Sequence, residues 1–254
     1  MSALSVKGAI LAGGTGKRLR PVSYYIQKAM IPVGASERPV LEFVIRLFHL
    51  HGIRRIVLLL GYKARQVINY FDDGGRFGVE LEYSIDSPGY EGNGGALLNA
   101  YLNGHFEDAD TVLVYYGDIL SDLNLRELVE CHTGSGAHAT VVLARRYQVP
   151  VGVAEVDSSG RILRLLEKPW LDIDATMGIL ALDRTSLEDL AEMKRRKIDI
   201  MEDFVPHLIA KGRLVRAFFY NGKWYDVGSI ERLEKIDVEW LKGLELKLLG
   251  EGKA

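Results

Sequence analysis

A buried strand followed at once by a cluster of glycines constrains this chain more than any other feature. The apolar run at residues 8–12 predicts a strand that is covered on both faces. Three glycines within four positions follow it, and three cations come next: Gly13, Gly14, Gly16, Lys17, Arg18 and Arg20. Glycine lets backbone N–H groups approach a ligand closely, and neighbouring cations attract anions. The stretch therefore predicts a phosphate-binding turn; the alternative is a surface turn with solvated charges.

The spacing of the glycines excludes the two commonest phosphate loops. Counted from Gly13, a dinucleotide fingerprint G-x-G-x-x-G has Arg18 where its last glycine should stand. A P-loop needs serine or threonine directly after its lysine, and Arg18 follows Lys17 here. The chain is therefore expected to be neither a nicotinamide dehydrogenase nor a P-loop protein.

Apolar or alternating runs take turns with helical patterns along most of the chain. Such a rhythm implies a parallel sheet with crossover helices. We expect an α/β fold with a Rossmann-like, mixed but mainly parallel central sheet flanked by helices, and a small β-rich portion around a hairpin at 151–169. The other predicted strands are 55–60, 79–85, 111–120, 139–144, 175–182 and 214–220, and the predicted helices are 39–51, 66–71, 96–101, 123–132, 186–196, 200–212 and 230–249.

Composition narrows the classes of function. The net charge of −2 argues against a general nucleic-acid binder, which should carry a basic surplus. The single cysteine, Cys131, excludes an internal disulfide or a cysteine-based zinc cluster. Neither a signal peptide nor a run of about 20 apolar residues is apparent, so we expect a cytoplasmic protein that does not act at a membrane.

Charged residues stand where a phosphate site can use them, although each has an ordinary alternative. Asp118 lies at the carboxyl end of the strand predicted at 111–120, and its carboxylate suits either a hard cation or the cap of the next turn. Lys28 is either a surface lysine or a second cation for the same anion. Glu167 and Lys168 fit a solvated charge pair as well as a binding site.

Four motifs together resemble the sugar-1-phosphate nucleotidylyltransferases, and the resemblance covers nearly the whole chain. They are Gly-Gly-x-Gly with Arg-Leu-x-Pro at 13–21, Gly-Asp at 117–118, Gly-Val to Glu-Lys-Pro at 152–169, and Trp-x-Asp-Val-Gly-Ser at 224–229. The resemblance implies an enzyme that transfers a nucleotidyl group from a nucleoside triphosphate to a sugar 1-phosphate and releases pyrophosphate. It implies Mg²⁺ as the cofactor.

The resemblance also implies a role for each matching residue. The metal ligands are Asp118 and Asp226, and the catalytic cations are Arg18, Lys28 and Lys168. The nucleotide is expected on Leu11, Ala12, Gly13, Gly14, Gly16, Asp86, Gly92 and Gly94. The sugar phosphate is expected on Gly152, Glu167, Lys168 and Thr176.

Several positions depart from the family pattern. Gln27 and Ala29 replace prolines around Lys28, Lys17 replaces a threonine, and Thr176 replaces an asparagine. Asp86 is the nearest match to the residue that reads the base. A carboxylate only accepts hydrogen bonds, and guanine offers two adjacent N–H donors, which favours GTP with a mannose- or heptose-type sugar 1-phosphate.

Other functions fit the same residues. The open alternatives are a UTP- or dTTP-dependent enzyme for glucose 1-phosphate, a cytidylyltransferase for a non-sugar phosphate, and a catalytically silent nucleotide-sugar sensor. We expect a single catalytic domain over 1–254, with a nucleotide half to about 145, a sugar-phosphate half over about 146–229 and a helix over 230–254. The sequence shows no hexapeptide repeat, so we expect no C-terminal left-handed β-helix domain. Homo-oligomerisation stays open.

Overall fold

A seven-stranded sheet forms the centre of the molecule. The structure is a computed structural model that describes residues 5–250. The strands in these residues are β1 (Val6–Ala12), β2 (Pro32–Val33), β3 (Arg38–Pro39), β4 (Arg55–Leu60), β5 (Glu80–Ile85), β6 (Thr111–Tyr116), β7 (Ile119–Ser121), β8 (Ala139–Ala144), β9 (Tyr147–Gln148), β10 (Val153–Val156), β11 (Ile162–Leu166), β12 (Trp170–Leu171), β13 (Ala175–Asp183), β14 (Val215–Tyr220) and β15 (Trp224–Asp226).

The central sheet is mixed but mainly parallel, as predicted. Its strand order is β14-β8-β13-β6-β1-β4-β5. Strand β1 pairs in parallel with β4 and β6, with Gly8 opposite Ile56 and Val6 opposite Thr111. Strand β13 alone runs against the other six, since it pairs antiparallel with both β6 and β8. The carboxyl ends of β1, β4, β5 and β6 therefore meet at one edge, where sheets of this kind bind ligands.

Helices cover both faces of the sheet, and this explains why the central strands are apolar throughout. The helices are α1 (Val40–Leu50), α2 (Ala64–Phe71), α3 (Gly92–Leu102), α4 (Leu125–Ser135), α5 (Ser186–Glu192), α6 (Val205–Ala210), α7 (Ile230–Leu233) and α8 (Val238–Leu249). One apolar core lies between the sheet and α1, α2, α4 and α8. A second core lies under α3, α5 and α6 on the opposite face. Within residues 5–250, no helix has the length and apolar character needed to cross a lipid bilayer.

Four two-stranded sheets extend from this framework. The predicted hairpin is present, with β10 antiparallel to β11 and a turn at 157–160. Strands β9 and β12 pair beside it, and β2 pairs with β3. The pairing of β7 with β15 matters most for the site, because it joins the end of β6 to the last motif of the chain.

Two predicted elements are shorter than the sequence indicated. The strand predicted at 111–120 is divided, because a turn at 117–118 separates β6, which ends at Tyr116, from β7; the Gly117 N–H makes the last ladder bond to β1, with the Leu11 carbonyl at 2.9 Å. The helix predicted at 186–196 ends at Glu192, and Lys194 takes a positive φ of 50°. The chain then runs beside Glu91, which forms a parallel bridge with Lys197.

Three predicted helices have different boundaries. The helix predicted at 230–249 is two helices, because the Asp237 side chain accepts from the N–H groups of Glu239 and Trp240 and so begins α8. Helix α3 begins at Gly92 instead of residue 96, so its glycines lie within its first turns. The helix predicted at 200–212 opens with a π-turn at Ile200–Phe204 before α6.

Candidate active site

The glycine turn presents a row of backbone donors at the carboxyl edge of the sheet. Its carbonyls are engaged inside the protein, since Ala12 accepts from the Gln27 side-chain amide at 2.6 Å and Gly13 accepts from the Tyr62 N–H at 3.0 Å. Gly16 takes a φ of 60°, which allows the chain to turn into a short 3₁₀ helix at Lys17–Leu19. Among the described residues, no acceptor binds the N–H groups of 14–18. Five consecutive free donors next to Arg18 suit a polyphosphate.

Gln27 fixes the segment that carries Lys28. Its buried side chain donates to the Ala12 carbonyl and accepts from the Ala29 N–H at 2.5 Å. Its backbone N–H donates to the Gln66 side chain at 2.8 Å. The side-chain amide of Gln27 therefore ties the end of β1 to the turn at Lys28–Met30. The resemblance led us to expect prolines around Lys28 instead.

Lys28 and Asp118 meet beside the glycine turn. The Lys28 ammonium forms an ion pair with the Asp118 carboxylate, and both side chains are mostly withdrawn from water. A Cβ added to Gly16 would lie 3.3 Å from Lys28 Cβ, so the glycine turn packs closely against the residue that carries this ammonium. The structure thus brings together two of the predicted residues that lie ninety positions apart in the sequence.

Asp226 lies next to Asp118, on the neighbouring strand. In the β7–β15 ladder Asp226 stands opposite Ile119, and the Val227 N–H donates to the Asp118 carbonyl at 2.8 Å. Arg18 joins them, because a Cβ added to Gly228 would lie 3.1 Å from Arg18 Nη2 and 2.5 Å from Asp226 Oδ1. Three separate motifs therefore converge on one cluster.

The two carboxylates fit a magnesium site. Asp226 Oδ2 pairs with Arg232, while Asp226 Oδ1 is buried and has no hydrogen-bond partner in the structure. A buried acceptor without a partner calls for an explanation, and a bound cation supplies one. No group of three or more metal-ligating side chains occurs within residues 5–250. Mg²⁺ is commonly held by one or two carboxylates together with substrate phosphates and water, which matches this pair.

Asp86 lies on the other side of the glycine turn, at the end of β5. Its carboxylate packs against the backbone of Gly13 and Gly61, and a Cβ on Gly13 would lie 3.1 Å from Asp86 Oδ2. Removal of the carboxylate from water by these neighbours raises the pKa of Asp86. Its backbone N–H continues the sheet by donating to Leu60 at 2.7 Å.

Gly92 and Gly94 are required by contacts within the protein. The Gly94 N–H donates to the Ile198 carbonyl at 2.9 Å, and a Cβ on Gly94 would lie 2.6 Å from Ile198 Cγ2. Gly92 has a φ of 81°, and a Cβ added to it would collide with the Ile198 carbonyl oxygen. The predicted helix start at residue 96 is therefore wrong, because both glycines lie within α3, while their contact with a nucleotide stays a prediction.

A cleft of about 1350 Å³ opens at the ends of β6, β8, β13 and β14, in the half of the sheet that lies away from β5 and Asp86. Lys168, Thr176 and Asp226 line it, together with Tyr116 at the end of β6. Lys168 is half-buried and takes a φ of 46°, a backbone region that lysine rarely adopts and that is enriched at functional sites.

The remaining two residues of the predicted sugar-phosphate set lie outside the lining of this cleft. Gly152 and Glu167 are exposed neighbours at the base of the hairpin, with a Cβ on Gly152 3.2 Å from Glu167 Oε2. The structure brings them together with each other and, through the chain, with Lys168.

Sequence reasoning missed the charged contacts that α7 makes with the site. The side chain of Ser229 accepts from the Arg232 N–H at 3.3 Å and starts a single turn that holds two charges over the cleft. Arg232 binds Asp226, and Glu231 Oε1 lies 3.7 Å from the Lys168 ammonium. The only sequence signal is a capping serine followed by Glu-Arg directly after the Trp-x-Asp-Val-Gly motif.

A second missed feature is a polar network between α3 and β6. The Asn93 side-chain amide donates to the Tyr116 hydroxyl and to Asp199 Oδ2, both at 2.8 Å, and its oxygen accepts from the Ile200 N–H. Burial and the nearby Asp199 and Asp118 carboxylates raise the pKa of Tyr116, so its phenol stays protonated.

The sheet is mainly parallel and places free backbone donors, cations and two carboxylates at its carboxyl edge, where α/β proteins of this kind bind their ligands. Residues 7–243 match the nucleotidyl transferase family, and the chain belongs to that family. The family expected from the sequence motifs is thereby confirmed.

Known proteins resemble the chain over most of its length. It is 32% identical to the UTP–glucose-1-phosphate uridylyltransferase of Synechocystis sp., over 89% of this chain and 61% of that protein. It is 26% identical to the mannose-1-phosphate guanylyltransferase of Mycobacterium tuberculosis, over 96% of this chain and 67% of that protein. The crystal structure of HddC from Yersinia pseudotuberculosis superposes with a TM-score of 0.68 at 25% identity, covering 91% of this chain and 99% of that one. The chain thus spans about three fifths of the length of the Synechocystis relative.

Proposed function

We propose that the protein transfers a nucleotidyl group from a nucleoside triphosphate to a sugar 1-phosphate. A phosphate oxygen of the sugar 1-phosphate attacks the α-phosphorus, the bond from that phosphorus to the bridging oxygen breaks, and pyrophosphate leaves. One observation supports this most strongly. Arg18, Lys28, Asp118 and Asp226 gather beside the free N–H groups of the glycine turn.

The chain's own groups would act mainly by placing and neutralising two anionic reactants. The N–H groups of 14–18 and the Arg18 guanidinium would bind the β- and γ-phosphates. Lys28 would balance the charge that develops at the α-phosphorus and on the leaving group. Lys168 would hold the attacking phosphate in the cleft. No general base is needed, because that phosphate oxygen is already ionised at neutral pH.

Asp118 and Asp226 would hold the magnesium ion, and Asp226 Oδ1 is the oxygen that has no other partner. When bound, the ion would supply neutralisation of the negative charge on the phosphates of both substrates. Arg18 and Lys28 flank these carboxylates, so they would also keep the phosphates oriented toward each other.

We propose GTP as the nucleotide and a mannose- or heptose-type sugar 1-phosphate as the acceptor. Asp86 supports the base, because an ionised carboxylate at the end of β5 matches the adjacent N1–H and N2–H donors of guanine. Leu11, Ala12 and Gly13 would lie along the nucleoside. Gly92 and Gly94 would contribute through the first turn of α3, which they shape. Glu167, Gly152 and Thr176 would bind sugar hydroxyls.

A matrix of nucleoside triphosphates against sugar 1-phosphates, with pyrophosphate release as the readout, tests the proposal. We expect turnover only when both substrates and Mg²⁺ are present, with GTP preferred. Lys28→Met should abolish most turnover, and Lys242→Met, which removes an exposed lysine that pairs with Glu239 on α8, should not. Tight nucleotide-sugar binding without turnover for any pair would support a sensor, and turnover only with CTP and a non-sugar phosphate would support the cytidylyltransferase alternative.

A further inference from the structure

Arg232 is a charged residue beside the proposed metal site, and the transfer reaction described for that site gives it no role. It lies on α7, six residues after Asp226, and its guanidinium pairs with Asp226 Oδ2. The Arg232 and Asp226 side chains are 33% and 23% exposed, so water screens their attraction only in part. Ser229 fixes the backbone of this turn by accepting from the Arg232 N–H, and the guanidinium is engaged by Asp226.

The charges around Asp226 do not favour a free divalent cation. The cluster contains two carboxylates, Asp118 and Asp226, and three cations, Lys28, Arg18 and Arg232. Glu231, the other acid of α7, is engaged with Lys168 and Lys235 instead. A divalent ion entering alone would therefore join a cluster that already carries one excess positive charge.

The phosphates of a nucleotide change that balance. A triphosphate seated on the N–H groups of 14–18 brings several negative charges beside Arg18 and Lys28. The metal then enters as part of an anionic complex, and the guanidinium can exchange Asp226 for a phosphate oxygen, which it binds well.

We propose that Arg232 makes divalent-cation binding at Asp226 depend on the nucleotide. The guanidinium competes for the carboxylate with a free metal ion and yields only to the metal–triphosphate complex. This inference rests on the metal site of the proposed function, and it concerns the order of binding, not the transfer step.

The test measures Mn²⁺ binding without nucleotide, from the electron paramagnetic resonance signal of free Mn²⁺. Arg232→Met removes the guanidinium and keeps much of its aliphatic stem. We expect it to bind Mn²⁺ at least about tenfold more tightly than the wild type, because an adjacent unit charge shifts ionic equilibria by that order. With a non-hydrolysable triphosphate present, the difference between the two proteins should shrink.

Lys235→Met is the matched control. Lys235 lines the same cleft and carries the same charge, but it pairs with Glu231 at 2.8 Å. Its Mn²⁺ affinity should stay within about twofold of the wild type, since exposed pairs of this kind contribute little. An unchanged affinity in Arg232→Met, or equal tightening in Lys235→Met, would overturn the proposal.

Two further variants separate this inference from the proposed function. Arg232→Gln keeps a hydrogen-bond donor for Asp226 without the charge, so it should also bind Mn²⁺ more tightly and serves if the methionine variant fails to fold. Adding Asp226→Asn to either variant should remove the gain. If the gain persists, the metal does not bind at Asp226, and the metal site of the proposed function is wrong as well.

Discussion

Arg18 and Asp118 are the two residues on which transfer should depend most. Arg18 lies on the 3₁₀ helix after the glycine turn and Asp118 follows β6, and each lies beside Asp226, Arg18 at Gly228 and Asp118 through the bond from the Val227 N–H. We expect Arg18→Ala or Asp118→Asn to cost at least about 2.7–4 kcal/mol of transition-state stabilisation, the scale of one lost charge-stabilising group. Pyrophosphate release at varied substrate concentrations gives kcat/KM for each variant.

Arg20 offers the matched control for Arg18. It lies two residues further on, and its guanidinium stacks over the Tyr24 ring at 5.0 Å. Arg20→Ala should therefore retain most of the activity. Near-native rates for both Arg18→Ala and Asp118→Asn would refute their assignment.

Asp86 should give nucleotide binding a characteristic pH dependence. Removal from water raises its folded-state pKa, so the ionised carboxylate that would accept from guanine is present above that pKa and is lost as pH falls through it. The KM for GTP should therefore rise on acidification at a higher pH than an ordinary aspartate would give. Asp86→Asn should bind GTP weakly at every pH, and its KM should not show this rise on acidification.

The quantity to compare is the KM for GTP of Asp86→Asn divided by that of the wild type at each pH. Titration of the triphosphate affects both values equally and cancels in this ratio. A ratio that does not vary with pH would show that Asp86 does not bind the base. Asp86→Asn should not lower stability, since ionising a carboxyl with a raised pKa costs folding free energy.

At the scale of elements, the contact between β1 and α1 sets the position of the glycine turn. A Cβ on Gly8 would lie 2.6 and 2.9 Å from two ring carbons of Phe48. Gly8→Ala should therefore destabilise the fold by about 1–3 kcal/mol, the usual cost of overpacking a core. Urea unfolding with an unchanged m-value measures this change.

Replacing Gly134 by alanine should have the opposite effect on stability from Gly8→Ala. It lies inside α4, and nothing comes within 4 Å of a Cβ added there. Gly134→Ala should stabilise the protein by about 0.5–1 kcal/mol, because alanine reduces the entropy of the unfolded chain. Destabilisation in both variants would contradict the packing described here.

Gln27 connects two elements of the site through its side-chain amide. Gln27→Ala leaves the Ala12 carbonyl and the Ala29 N–H without their partners, and we expect a loss of about 1–3 kcal/mol in unfolding free energy. Because Lys28 sits on the same turn, kcat should fall as well.

Asn103→Ala is the matched control for Gln27. Its exposed amide also donates to a backbone carbonyl, that of Asn99 at 2.8 Å, so its loss should cost less. Equal destabilisation by both changes would mean that the Gln27 network is not a special constraint.

Strands and helices with strong periodicity could be predicted from the sequence. The strands at 55–60 and 139–144 match β4 and β8, because consecutive apolar residues fit strands covered on both faces. Element ends were harder. The break between α7 and α8 depends on the Asp237 cap, and the start of α3 depends on contact with Ile198.

The site was predictable only where a motif carried it. Arg18, Lys28, Asp118 and Asp226 came from short patterns, and the structure gathers them. Asn93 contacts Tyr116 and Asp199, which are distant in sequence, and Arg232 contacts Asp226 from the next helix. No rule of sequence spacing marks such pairs. Gly92 and Gly94 show the limit of a local pattern, because the sequence predicted a helix from residue 96, whereas both glycines lie inside α3 and pack against Ile198.

For the molecule as a whole, the sheet brings the two halves of the site to one edge. Four parallel strands carry the glycine turn and Asp86, and the reversed strand β13 carries Thr176 into the cleft on the other side. Asp118 and Asp226 lie between these regions. Two anionic substrates bound on either side would therefore meet at the carboxylate pair.

Anomalous diffraction from Mn²⁺ tests this arrangement most directly. Crystals would be grown with Mn²⁺ and a non-hydrolysable nucleoside triphosphate, and data collected at the manganese absorption edge. We expect a peak coordinated by both Asp118 and Asp226, with the triphosphate on the glycine turn. An ordered triphosphate whose manganese lies away from these carboxylates would contradict the central claim.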